Sequence, residues 1–319
     1  MDQNAINSSG DFAAERILFD ALAHGDAVLG TIGPVLGHLL ANHDHSLFSD
    51  EILTRVRGMV NDIARQLLLA QGEAAEVDDP RAFAATFAGA LADTLLAERA
   101  LTAHCHALAI EWHATARLEA QNAIDPVLSP LLQALVSSDD APTAAAAMAA
   151  LAAQARFVQQ QRRMELPLSE LPADLLHLCI ASWRSHVGEQ EEGVSGALAR
   201  VRESYDEGAS RLARLARLVH GMGPGMLAAL SVAHAGVAIF LTALSAASHQ
   251  DRALTVLATN DRQIARFALS MRAAGLKPRA IEEQFLYFHP EGALPPELDS
   301  LGADRARALL SASSRSSAG

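Results

Sequence analysis

The sequence predicts an all-α protein, a multi-helical array or bundle of roughly ten to twelve helices around an apolar central hairpin, with a HEAT-like array as one possible form. Three observations carry this. Half of the 319 residues are apolar, and that share rests on Ala and Leu with only 4% aromatics. Ala and Leu lose least on entering a helix. β-branched runs with period-two alternation are missing, so no strand is predicted. Finally, Leu218 to Gln250 contains no Lys, Arg, Asp or Glu in a chain that is 19% charged. A segment apolar on nearly every side is buried in a core or in a bilayer.

That stretch organises the rest. After Pro224 its length allows a helix of roughly six turns. Leu227, Leu230, His234, Val237, Leu241 and Leu244 recur at intervals of three and four, and Gly225, Ala229, Ala233 and Gly236 form a second stripe of small residues. The preceding series Leu198, Val201, Tyr205, Gly208, Leu212, Leu215 and Val219 has the same period. Joined by GMGPG, the two are expected to form an antiparallel hairpin packed stripe to stripe. A membrane span is disfavoured: Ala and Gly make up much of the apolar count, His234 would sit near the bilayer centre, and no Trp or Tyr flanks the segment.

From the N-terminus, a helix is expected from Asp11 to His24 with Gly25 as its stop. Gly30, Gly33, Pro34 and Gly37 weaken the next apolar segment. Ser49 should cap a helix carrying Ile52, Val56, Val60, Ile63 and Leu67 on one face. Asp79-Pro80, Asp125-Pro126 and Asp140 before Pro142 each place Asp near an N-cap and Pro in a first turn, marking three helix starts. The Pro-free run from Arg81 to Asn122 should break around Glu98 to Thr102. Residues 1–75, 80–165 and 172–310 are read as an N-terminal unit, a middle group and a C-terminal unit holding the hairpin, with 311–319 as a disordered tail.

In the last third, Ala246, the helix start Asp251-Arg252-Ala253, Leu257, Ile264-Ala265 and Ala273-Ala274-Gly275-Leu276 stand in SAASHQDRALTVLATNDRQIARFALSMRAAGLKP. This segment resembles helical bacterial proteins of the family called domain of unknown function 2336. The resemblance implies an all-helical, HEAT-like array and brings no catalytic residues. A bacterial origin also fits the single Lys277 among 25 basic residues, a pattern of GC-rich codon supply.

A formal charge of −12 excludes a general nucleic-acid binder, which needs a basic surface. The outline of two helices around Gly275 resembles a DNA-reading motif, but Glu282 and Glu283 on its second helix would repel phosphate. The N-terminus lacks a basic and apolar leader, so a cytoplasmic protein is expected, with no cofactor. Among thirteen His, the cluster His104, Cys105, His106, Glu111 and His113 is densest. Helical chelation requires ligands at i and i+3 or i+4, and His106 and His113 are about 10 Å apart along an axis, so no metal is assigned. His43-Asp44-His45 is a weaker candidate. Cys105 and Cys179 read as small buried hydrophobes, with His177 turned away from Cys179. GMGPG follows a helix and is a turn, not a phosphate loop. Acidic pairs beside Pro are caps, not the magnesium ligands of a prenyl-diphosphate enzyme.

Two features remain. His234, in the apolar stripe, is expected to be buried and must find a partner or stay neutral. Arg211, Arg214 and Arg217 form a strip that pairs with Glu207 and nearby acids or docks an acidic partner. The expected function is a non-catalytic interaction or regulatory module with an unknown protein partner, self-association left open. The alternative is a helical enzyme or carrier with an apolar small-molecule cavity near His234. Polar groups converging on a cavity at His234 favour that alternative, and a filled core favours the module.

Overall fold

Helix starts are fixed by side-chain oxygens that take up the free N–H groups of the first turn. The computed structural model describes residues 13–31, 49–188 and 192–316, and among them every regular element is helical. The loop holding His43, Asp44 and His45 lies outside the described residues. Helix α1 (residues 13–31) continues through Gly25. The missing side chain there serves a close approach: an added Cβ would lie 2.7 Å from Gln263 Oε1, and Gln263 Nε2 donates to the Gly25 carbonyl at 2.5 Å.

Ser49 caps α2 (Asp50–Ala74), and Asp79 caps α3 (Pro80–Leu96), accepting from Arg81 and Ala82 N–H at 3.1 and 3.0 Å. A break at Ala97 and Glu98 leads into α4 (Arg99–Asn122), close to the predicted place. Asp125 caps no helix. Its carboxylate closes a turn onto Val127 and Leu128 N–H, and Ser129 starts α5 (Pro130–Val136) instead. Asp140 opens α6 (Ala141–Arg162) through Thr143. Next come α7 (Ala173–Val187), α8 (Val194–Ser204) and α9 (Arg211–Gly221). The periodic series from Leu198 to Val219 is therefore two helices. Between them Asp206 accepts from Gly208 N–H, and Ser210 accepts from Ala213 N–H. Such local bonds compete with a continuous helix.

The chain folds into two compact units, each assembled from stretches distant in sequence rather than from three consecutive segments. One draws on Met1–Ile32, Ala114–Ala144 and Leu218–Gly319. Its centre is α10 (Val232–Ser248), packed against α5, α11 (Arg252–Leu257) and α12 (Ile264–Ala273), with α13 (Pro278–Phe288) and α14 (Ala303–Ser316) on α12 and nearby. Phe240, Phe267 and Phe288 meet with ring centroids 5.1–6.5 Å apart, and Ile281 and Phe285 of α13 are buried. Gly275, at φ 93°, ends α12. The stretch read as a disordered tail is helical to Ser316, and Ser313 is buried.

The hairpin expected from the central stretch is not the arrangement found. Gly223–Leu230 is a 3-10 run with Leu227 68% exposed, and it meets α10 at a bend of 117°. Inside α10, Gly236 takes φ 73°, ψ 164°, which no side-chain-bearing residue adopts without strain. An added Cβ there would also lie 3.2 Å from Ser129 Cβ. Two breaks thus divide what reads as one stripe. Val237, Leu241 and Leu244 are buried, whereas Leu227 and His234 are exposed. No single described helix is long and apolar enough to cross a membrane. The bent pair passes by length and composition alone, and residues 235–244 form the core of their unit.

The other unit comprises Gly33–His113 and Ala145–Arg217. Its axis is α2, whose Val56, Val60, Ile63 and Leu67 are wholly buried, with α3, α7 and α8 packed on it. Gly193, at φ 80°, brings the start of α8 so close that a Cβ would touch the Gln71 carbonyl.

Candidate functional site

The second unit contains a groove whose walls are three segments. Along α2, Gln66, Leu69, Ala70 and Glu73 lie at helical spacing on one face; Arg200, Val201, Ser204 and Tyr205 face them from α8 and the residue after it; Leu168 and Ser169 supply the third wall. The groove is open on one side and has a volume of about 480 Å³, within the roughly 300–1,000 Å³ typical of ligand pockets. Leu69, Ala70, Leu168 and Val201 supply its apolar lining, and the remaining groups are polar.

Hydrogen bonds hold these walls in place. Asp62, buried on α2, accepts from Leu166 N–H at 3.0 Å and from Gln66 Nε2 at 2.7 Å. Gln66 in turn donates to the Leu166 carbonyl and accepts from Leu168 N–H, both at 3.0 Å. The loop that follows α6 is thereby fastened to α2. Tyr205 Oη donates to the Leu171 carbonyl at 2.8 Å, and Glu207 accepts from Ala173 N–H at 3.1 Å, which fastens the same loop to the segment after α8. On the far rim Arg200 and Glu73 pair loosely at 3.4 Å, both about half exposed. Burial pushes the Tyr205 phenol above its ordinary pKa, and the carboxylates of Glu207, Asp174 and Asp206 add to the rise.

The predicted arginine strip separates. Arg211 is 2% exposed and forms a two-pronged ion pair with the 1% exposed Glu111, Nη1 to Oε1 at 2.8 Å and Nη2 to Oε2 at 2.9 Å. Nη1 also donates to Gln154 at 3.1 Å, and the guanidinium lies 3.6 Å from the Phe157 ring centre. Its main-chain N–H donates to Glu170. Arg211 therefore presents no docking surface, and Glu207 is not its partner. Arg214 is half-buried and donates to the Ala149 carbonyl. Arg217 is exposed and donates to the Gly208 carbonyl at 2.8 Å. Sequence periodicity cannot reveal the Glu111 partnership, because a hundred residues separate the two.

His234 is solvent-exposed, on the N-terminal side of the Gly236 break. The cavity reading required it to be buried, and it loses that premise. His106 is buried, and burial lowers its pKa to about 4. His113 is half-exposed, 3.8 Å from Glu51. Among the described residues no group of three or more His, Cys, Asp or Glu is placed to hold a metal. Cys105 and Cys179 are free and buried, as expected of small hydrophobes; burial raises both thiols, Cys179 to about 12.

No family model, curated protein or solved structure matches the chain. Its site is therefore read from its own residues. The first unit adds one titratable pair that the sequence did not suggest. His289, buried between Phe267 and Phe285, lies with Nδ1 2.8 Å from the exposed Asp261 carboxylate. Burial lowers its pKa while Asp261 opposes the shift. Its Nε2 is enclosed without a hydrogen-bond partner, so the ring is set into aromatic packing. No described nucleophile is hydrogen-bonded to it. In the second unit, the groove brings several polar groups to solvent beside apolar surface.

Proposed function

We propose that the chain is a non-catalytic helical interaction module, working in the cytoplasm, that holds a segment of a partner protein in the groove between α2, α8 and the loop after α6. One observation carries this reading: an open groove of about 480 Å³ whose three walls are each fixed by buried or half-buried hydrogen bonds. Grooves set between two helices receive partner segments by laying apolar residues on the floor. A wall that is already ordered loses little freedom on binding, which favours affinity.

Replacement of the exposed Ser169 by Trp fills the groove from its rim without disturbing a buried position. Photo-cross-linking in cells from a diazirine-bearing amino acid placed at Leu69 or Ser204, followed by mass spectrometry, should identify a partner captured at the groove. That partner should be lost from Ser169→Trp while the thermal melt of the variant stays unchanged. Partner recovery equal in wild type and in Ser169→Trp would defeat the assignment of function to this groove.

A further inference from the structure

The end of the groove at Tyr205 carries a charge pattern that defines the partner. Asp206 and Glu207 follow Tyr205 directly in the chain, and Asp174 stands three residues beyond the Leu171 carbonyl that Tyr205 Oη engages. Glu207 is held at this end by Ala173 N–H, and Asp206 by Gly208 N–H at 2.9 Å. All three residues are exposed. Arg217 reaches the Gly208 turn, where it is engaged with the Gly208 carbonyl. At the opposite end Arg200 answers Glu73, so the unbalanced negative charge lies on the Tyr205 side. Between the two ends the floor is Leu69, Ala70, Leu168 and Val201.

We infer that the groove recognises a short peptide segment in which an apolar side chain is flanked by Lys or Arg, the apolar group entering over Leu168 and Val201 and the cation reaching the carboxylates of Asp174, Asp206 and Glu207. This rests on the interaction-module reading and adds the chemistry of the partner. An arginine or lysine with an apolar neighbour matches both halves of the site: the ring of Tyr205 and the aliphatic floor receive its stem and neighbour, and the carboxylates receive its head. An acidic segment would meet like charge at the same place, which works against binding.

The test is selection of a phage-displayed random library of about twelve-residue peptides on the full chain, followed by anisotropy titration of the synthetic winning peptide. Three proteins are compared: wild type, Ser169→Trp, and the triple variant Asp174→Asn, Asp206→Asn, Glu207→Gln, which removes charge while keeping hydrogen-bond acceptors. The expected winners pair Leu, Ile, Met or Phe with Lys or Arg. Their affinity should fall about tenfold or more in Ser169→Trp. In the triple variant, and on raising salt from about 50 to about 500 mM, it should fall about threefold or more. Peptides that lose binding in Ser169→Trp but carry no basic residue, or ignore the triple variant, would overturn the partner chemistry and leave the groove reading standing. A selection yielding no peptide sensitive to Ser169→Trp would overturn both. Thermal melts confirm that each variant is folded.

Discussion

Glu111 and Arg211 show how much one interior contact can depend on its partner. Both charges are removed from water, and their attraction offsets that cost only while the two-pronged geometry and the Gln154 bond persist. Glu111→Ala should therefore cost about 3–5 kcal/mol in urea unfolding, because it leaves a buried guanidinium with its main counter-charge gone. The double replacement Glu111→Leu, Arg211→Met should recover most of that loss, and a coupling energy near zero would show that the pair does not act as a unit. His106 gives a pH signature of definite sign. Its folded pKa of about 4 is below the ordinary 6.5, so the folded state prefers the neutral ring. The stabilisation is complete above about pH 6.5 and is lost as pH falls toward 4, up to about 3 kcal/mol. His106→Gln should reduce the decline in unfolding free energy between about pH 7 and about pH 4.5 relative to wild type. Equal declines in the two proteins would remove His106 as a cause.

Within the elements, one glycine breaks the helical course of the apolar stretch. Gly236→Ala forces a Cβ into a backbone region reserved for glycine and against Ser129, and should lower stability by roughly 1–3 kcal/mol. A melting temperature unchanged within error would show that the backbone there relaxes freely. This glycine also marks the limit of what could be read from the residues alone. Caps at Ser49, Asp79, Asp140 and Asp251 were legible because a cap is a local bond between neighbours. The inward face of α2 was legible because a single helix keeps its period. The stripe through His234 was misleading because periodicity assumes one unbroken helix, and Gly236 and the 3-10 run before it each reset the phase. The groove was invisible for another reason. Gln66, Leu168 and Tyr205 are about a hundred and about forty residues apart, and no spacing rule connects residues brought together only by packing.

For the whole molecule, the two units are each built from separated stretches, so no single cut separates one intact unit from the other. Cleavage between Leu171 and Pro172 divides both, separating α2 from α8 and α1 from α12. Neither the 1–171 nor the 172–319 fragment should show a cooperative thermal transition by circular dichroism, whereas a sharp melt in either would identify a unit that folds alone. The bond between Arg266, Asp26 and Ser313 carries the same fact into time. A ribosome adding about 5–20 residues per second needs roughly 15–60 s to travel from Asp26 to Ser313. Throughout that interval Asp26 lacks the Ser313 hydroxyl that it engages in the finished fold. A growing molecule thus carries α1 without the bonds that seat it in the finished fold until Ser313 has been added.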